Sequence, residues 1–167
     1  MSEVRYGPVI GDYRAVELPV AASQMFHPNG AAFVYLDSSG YVTLAITATT
    51  YLFGWALVPR SLAGTDLANG YWTSNATAGA SKVPVIAAAM NPKVAYRVPT
   101  TAAGGLAVAA RIGECSDLVG VNDGTIQYAT PGTNATDVLL NVALPEDGDT
   151  NSIIVTFNPN TIQRDTA

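Results

Sequence analysis

The stretch DLVGVNDGTIQYAT, residues 117–130, decides the fold class. Two runs of residues that favour β-structure, 117–121 and 125–130, flank an Asn-Asp-Gly turn at 122–124. An Asx-Gly turn between such runs is among the strongest local hairpin signals, because these residues tolerate the left-handed backbone that a tight turn needs. The sequence therefore predicts two antiparallel strands here.

The β-pattern continues in both directions along the chain. TDVLLNVAL (136–144) alternates apolar side chains between two faces, and SIIVTFN follows at 152–158. AAFVYLD (31–37) and YVTLAIT (41–47) flank a short Ser-Ser-Gly loop and predict a second hairpin. Further predicted β-runs lie at 49–59 with Gly54 as a candidate bulge, at 93–99 and at 106–114, whereas 83–90 fits either a strand or one short helix. Short strands without a long amphipathic helix predict an all-β fold, an antiparallel β-barrel or sandwich.

The first thirty residues differ from the rest of the chain. They contain prolines, glycines and isolated apolar residues, with no sustained period of a helix or a strand. We interpret residues 1–30 as an extended N-terminal arm that lies on its own domain or on a neighbour, and residues 31–167 as a β-rich domain. An alternative division splits the β-rich part near residue 91 into a smaller β part and a C-terminal β-barrel.

Charged side chains are unusually scarce. They make up 13% of the 167 residues, against roughly 25% in an average soluble protein. No Asp, Glu, Lys or Arg lies between Asp37 and Arg60, or between Arg97 and Arg111. Such long uncharged segments cannot all be interior in a small domain, so we expect part of them to form contact surface. The alternative is that threonine and serine alone keep them soluble.

Several classes of partner and compartment are disfavoured. The net charge is −5 and the six arginines are scattered, whereas nucleic-acid binding needs clustered cations, so we expect no nucleic-acid partner. Residues 41–59 are rich in threonine and fit two strands better than a membrane span. Cys115 is the one cysteine, which excludes an internal disulfide, and the start of the sequence lacks the pattern of a signal peptide. We therefore expect synthesis in a cytoplasm.

The inventory of reactive side chains does not indicate an enzyme. There is one histidine, His27, and no motif that would pair it with a serine or with Cys115. The acidic string EDGDTN (146–151) has a partial calcium-loop spacing, but a tight hairpin turn explains the same residues. We expect no catalytic residue, no cofactor and no metal site.

The chain resembles the head decoration, or cement, proteins of tailed bacteriophages. The resemblance is strongest over residues 93–165, in the low lysine content, the Ala/Thr/Gly-rich strands, the Asn-Gly-type turns and the apolar arm ahead of a β-domain. It implies a structural virion protein on the capsid exterior, made in the host cytoplasm, that stabilises the shell by bridging neighbouring major capsid protein subunits. Such proteins are often homo-trimers or homo-dimers.

Aromatic and apolar residues outside the regular strands are the candidate interface. Those in the arm are Tyr6, Val9, Ile10, Tyr13, Met25 and Phe26, and a second patch consists of Tyr71 and Trp72. Folding back of Tyr71 and Trp72 over the core explains that pair equally well.

Three other functions remain open at this point. A carbohydrate-binding β-sandwich of a virion fibre or cell surface would use Tyr51, Trp55, Tyr71 and Trp72 as a stacking platform. A different virion part, such as a minor capsid or tail-tube subunit, would differ in its copy number per particle. An unrecognised enzyme is the third, and the sparse His, Cys and Lys content counts against it.

Overall fold

A computed structural model describes residues 6–27, 30–58, 71–100, 109–132 and 137–163. In these ranges the chain forms thirteen β-strands and short 3₁₀ turns. The strands are β1 Gly7–Ile10, β2 Val16–Pro19, β3 Met25–Phe26, β4 Phe33–Leu36, β5 Val42–Leu44, β6 Gly54–Ala56, β7 Trp72–Thr73, β8 Lys82–Ala87, β9 Ala95–Pro99, β10 Cys115–Val119, β11 Tyr128–Pro131, β12 Leu139–Ala143 and β13 Ser152–Phe157. The 3₁₀ turns are Ala88–Met90, Ala109–Arg111 and Pro159–Thr161. The predicted all-β class is confirmed.

The strands form two main sheets and one ribbon. The six-stranded sheet has the order β1-β9-β13-β12-β10-β11, the five-stranded sheet β2-β8-β6-β4-β5, and β3 pairs with β7. All pairs between these strands are antiparallel. Isolated parallel bridges also occur: Thr100↔Ala129 links the end of β9 to β11, Val20↔Val42 links the end of β2 to β5, and the third is Leu52↔Ile162.

An aromatic cluster joins the two sheets. Trp55 of the five-stranded sheet stacks on Tyr96 of the six-stranded sheet, with ring centroids 5.1 Å apart. Phe33 meets Phe157 edge to face at 5.5 Å, across the same interface. One continuous core contains residues of both sheets. Because the inward faces of two antiparallel sheets share this core, the architecture is a β-sandwich.

The deciding hairpin is present but its connection is wider than the sequence suggests. β10 pairs with β11 in the register Asp117↔Thr130 and Leu118↔Ala129. Residues 120–127 leave the ladder because they bind the other sheet: the N–H of Thr47 donates to the carbonyl of Gly120 at 3.0 Å. Gly124 has φ +85°, as the turn requires. The segment 120–127 is thus a connector between sheets as well as a turn.

The other strand predictions have mixed outcomes. The hairpin of β4 and β5 is confirmed. Gly54 pairs in continuous register and is not a bulge; a Cβ there would lie 2.3 Å from the carbonyl oxygen of Ile86, so the position needs glycine for close packing. In the segment 106–114, residues 106–108 lie outside the described ranges. The strand prediction is wrong for 109–111, which form a 3₁₀ turn, and Gly113 at φ +88° reverses the chain before β10.

Three buried glutamines take the place of missing strand partners. Gln127 accepts from the N–H of Phe33 at 2.8 Å and donates to the carbonyls of Phe33 at 3.0 Å and Ala45 at 2.7 Å. Gln163 bonds the N–H and carbonyl of Leu36 in the same way, each at 2.8 Å. Gln24 accepts from the N–H of Leu44 at 2.9 Å. The carbonyl of Phe33 also accepts from the N–H of Ala45, and for the other main-chain groups these carboxamides supply the partner that burial requires.

The N-terminal region lies within the chain's own sheets where it is described. β1 pairs with β9, β2 with β8 and β3 with β7, while residues 1–5 and 28–29 of the predicted arm lie outside the described ranges. The proposed division near residue 91 falls at the turn between β8 and β9. In the described ranges, none of the helical segments has the length and apolarity of a membrane-crossing helix.

Candidate contact surface

Four large apolar side chains are exposed around the start of the chain. The exposed fractions are 48% for Val9, 48% for Ile10, 46% for Tyr13 and 59% for Met90. We call these four residues the N-terminal patch. A group of large apolar side chains left in water is typical of a surface that a partner covers.

The N-terminal patch rests on a fixed support. The carboxamide of Asn91 accepts from the N–H of Arg14 at 2.8 Å and donates to the carbonyls of Arg14 at 3.1 Å and Ala87 at 2.9 Å. Asn91 thereby ties the segment after β1 to the turn that carries Met90. The patch is therefore held on two segments that are hydrogen-bonded to each other.

A second apolar patch lies on the loops 45–51 and 120–127. Its members are Ile46, Val121 and Ile126, with exposed fractions of 39%, 53% and 39%. Thr47 joins the two loops, because its N–H donates to the carbonyl of Gly120 at 3.0 Å and its hydroxyl lies 3.2 Å from the N–H of Gly120. We call Ile46, Val121 and Ile126 the loop patch; Asp123 is the one charged residue on these two loops.

The two patches leave the five-stranded sheet at opposite ends. Ala87, Gly54, Val34 and Leu44 form one row across β8, β6, β4 and β5. Ala87 is the last residue of β8 and Leu44 is the last residue of β5. Because adjacent strands are antiparallel, β8 and β5 point in opposite directions, so the chain leaves this row towards one end of the sheet after β8 and towards the other end after β5. Met90 follows β8 and Ile46 follows β5, so their main chains emerge at opposite ends.

The structure brings Met25 and Phe26 together with Tyr71 and Trp72. The main-chain pairs are Met25↔Thr73 and Phe26↔Trp72, and the Phe26 and Trp72 rings are 5.6 Å apart. Phe26 is 1% exposed and Trp72 8%, so both belong to the core and are not available as contacts.

Tyr71 and Met25 pack on the turn at 122–124 and are half-buried. The Tyr71 ring lies over Gly124, where a Cβ would approach it to 2.3 Å, and the N–H of Met25 donates to Oδ1 of Asn122 at 2.7 Å. The Asn-Asp-Gly turn thus anchors the β3–β7 ribbon, and Tyr71 and Met25 remain at the margin of the loop patch.

Tyr6 lines a small cavity of about 150 Å³, together with Pro8, His27, Trp55 and Leu57 among others. Burial lowers the pKa of His27 and raises that of Tyr6. Ligand pockets are usually about 300–1,000 Å³. We assign no ligand to this cavity.

The acidic turn binds an arginine of its own chain. Arg97 donates to both oxygens of Asp147, at 2.8 and 3.1 Å, and to Oδ2 of Asp149 at 3.0 Å. Ser152 donates to the same oxygen of Asp149 at 2.6 Å. These bonds lower the pKa of both carboxyl groups, for Asp149 chiefly through Ser152 and for Asp147 chiefly through Arg97. In the described part of the chain no three His, Cys, Asp or Glu side chains are grouped as metal ligands.

The remaining polar candidates have structural partners. Cys115 lies in β10, where Nδ2 of Asn158 approaches its sulfur to 3.6 Å. Glu114 pairs with Arg111 at 2.9 Å. Of the four aromatic residues of the alternative carbohydrate platform, Trp55 and Trp72 are buried and Tyr51 is 56% exposed, so the structure does not assemble that platform.

Comparison with protein-family models, with curated proteins and with solved structures finds no match to this chain. We therefore assign the candidate contact surface only from the exposure and the hydrogen bonds of its own residues. Sequence reasoning selected Val9, Ile10 and Tyr13 but missed Met90 and the whole loop patch. The absence of charged residues between Asp37 and Arg60 is the sequence feature that could have indicated Ile46 as a contact residue.

Proposed function

We propose that the chain is a structural, non-enzymatic protein of a tailed-phage virion that binds the capsid exterior and bridges neighbouring major capsid protein subunits. The observation that carries this proposal is the pair of exposed apolar patches, of which one includes Met90 after β8 and the other Ile46 after β5, at opposite ends of the five-stranded sheet. A bridging protein needs two contact faces, whereas an enzyme needs only one site.

The charge-poor surface supports the same proposal. Removing apolar surface from water gains roughly 25 cal/mol per Å² before the costs of association. Side chains that are already about half exposed, such as Val9 and Val121, each have about 1 kcal/mol to gain. Few charged groups need to be desolvated at the same time. Many weak contacts on one shell then add up through effective concentration.

The test is co-sedimentation of the purified protein with expanded heads that lack it, with electron microscopy to locate and count the bound copies. The double variant Val121→Asp/Ile126→Asp places two charges on the loop patch, and we expect its binding to fall at least about tenfold because each buried charge must be desolvated. Val9→Asp/Tyr13→Asp tests the N-terminal patch in the same way.

Asn160→Asp is the matched control, because Asn160 is exposed on a 3₁₀ turn that belongs to neither patch. It adds negative charge without touching either apolar surface, so its binding should equal that of the wild type. Unchanged binding of both double variants, or binding at only a few copies per head, would contradict the proposal.

A further inference from the structure

Among the described residues, the first strand forms a β-ladder along one edge only. In the described ranges β1 is the outermost strand of the six-stranded sheet and pairs with β9, at Gly7↔Arg97, Pro8↔Tyr96 and Ile10↔Ala95. The register shifts between Pro8 and Ile10, and a proline has no N–H to donate. The attachment of β1 is therefore weaker than that of an inner strand.

A short exposed linker connects β1 to the other sheet. All residues from Gly11 to Ala15 are exposed, and Gly11 has φ +84°. Asn91 holds the main chain of Arg14 on both sides, so the span available for a change of path is 11–13. A short linker between an edge strand and a fixed segment favours domain swapping, in which two copies of a chain exchange that strand.

The N-terminal patch surrounds this linker. Val9 and Ile10 precede it, Tyr13 lies within it, and Met90 lies beside the Asn91 anchor. If β1 crosses to a neighbouring copy, the linkers of the two copies run side by side and bring the two N-terminal patches next to each other, where they still face outwards as one larger apolar surface. The edge of β9 is already complementary to β1, so each β1–β9 contact is retained in the exchanged form.

We propose that copies of this chain exchange β1, so that β1 of one copy pairs with β9 of another. The exchanged β1 then occupies the edge of β9, and the N-terminal patches of the exchanging copies lie next to each other. This exchange needs no viral shell and occurs in solution, so it is tested separately from the proposed capsid binding.

The test is disulfide mapping in a Cys115→Ser background. Ile10 and Ala95 are register partners, and cross-strand neighbours have the Cα separation of about 5 Å that a disulfide accepts. The variant Ile10→Cys/Ala95→Cys should oxidise mainly to species of two or more chains on a non-reducing gel. In a second arm, the single variants Ile10→Cys and Ala95→Cys are unfolded, mixed and refolded together, and should cross-link to each other.

Leu140 and Thr156 provide the matched control, because they are register partners on the inner strands β12 and β13. Leu140→Cys/Thr156→Cys should form its disulfide within one chain, which shows that oxidation alone does not join copies. A disulfide confined to single chains in the first variant, together with no cross-link between the mixed single variants, would overturn the exchange. If the double variant does not fold, the refolded mixture of the two single variants alone decides whether copies exchange β1.

Discussion

At the scale of single residues, buried side-chain carboxamides form hydrogen bonds that the main chain of a neighbouring strand usually forms. Gln127 is 1% exposed and serves one N–H and two carbonyls of the opposite sheet. Gln127→Met keeps the length and shape of the side chain but removes all three hydrogen bonds. The N–H of Phe33 and the carbonyl of Ala45 lose this partner, whereas the carbonyl of Phe33 still accepts from the N–H of Ala45 at 3.0 Å. We expect a loss of about 3 kcal/mol in the free energy of unfolding, measured by urea titration.

Gln127→Glu sharpens that experiment, since it keeps the acceptor and replaces the donor by an oxygen that faces two carbonyls. Its stability should fall at least as far as that of Gln127→Met. Stability within about 0.5 kcal/mol of the wild type for both variants would show that the carboxamide is dispensable.

Tyr96 presents the opposite case. Its ring is 0% exposed and stacked on Trp55, yet its hydroxyl has no hydrogen-bond partner in the described part of the chain. Burial raises the pKa of this hydroxyl far above its ordinary value. A buried polar group without a partner costs about 1–3 kcal/mol. Tyr96→Phe should therefore keep or raise the melting temperature; a clear decrease would reveal a partner for the hydroxyl.

At the scale of elements, the acidic turn before β13 links stability to pH. Hydrogen bonds from Ser152 and Arg97 hold the pKa of Asp149 below its ordinary value, and that of Asp147 is lowered as well. A carboxyl group whose pKa is lower in the folded state stabilises the fold above its unfolded pKa, near 3.8. That contribution is lost as the pH falls through the folded value.

Asp149→Asn removes this titration. At pH 7 we expect the variant to unfold about 1 kcal/mol more easily than the wild type. The difference should shrink as the pH falls from about 4 through the lower folded-state pKa of Asp149, because the wild-type carboxyl group then becomes protonated in the folded state too. Urea titrations of the wild type and the variant, at pH 7 and at a pH below 4, measure this difference in the free energy of unfolding. Asp12→Asn, in the exposed linker after β1, controls for the change in net charge. A difference that stays constant with pH would refute the assignment.

Local patterns predicted the elements but not their long-range partners. The hairpins of β4 with β5 and of β10 with β11 follow from turn residues between β-runs. The pairing of β1 with β9, and of Phe26 with Trp72, joins segments far apart in sequence, where no local signal exists. Phe26 was selected as a contact residue because it lies in a segment of prolines, glycines and isolated apolar residues without a sustained period, but only the tertiary structure decides that this ring is buried.

At the scale of the whole molecule, scarcity of charge is the feature that separates this sandwich from an ordinary soluble domain. Asp, Glu, Lys and Arg make up 13% of the residues, and the acidic turn uses Asp147, Asp149 and Arg97 within the chain itself. The loop patch has Asp123 as the one charge on its two loops, and that carboxylate accepts hydrogen bonds from Thr125. Binding through the patches must then come mainly from apolar burial.

Apolar burial and ion pairing respond differently to salt, and this difference gives a test that uses the unmodified protein. Ions screen contacts between charges over about 10 Å at 0.1 M salt, whereas burial of apolar surface is nearly independent of moderate salt. We expect the affinity for expanded heads to change less than about threefold between 0.05 and 0.5 M NaCl, and to rise in sodium sulfate, which strengthens apolar burial. The measurement is co-sedimentation at a series of salt concentrations. A steep fall in affinity with NaCl would mean that charged side chains, and not the two patches, hold the protein on its partner.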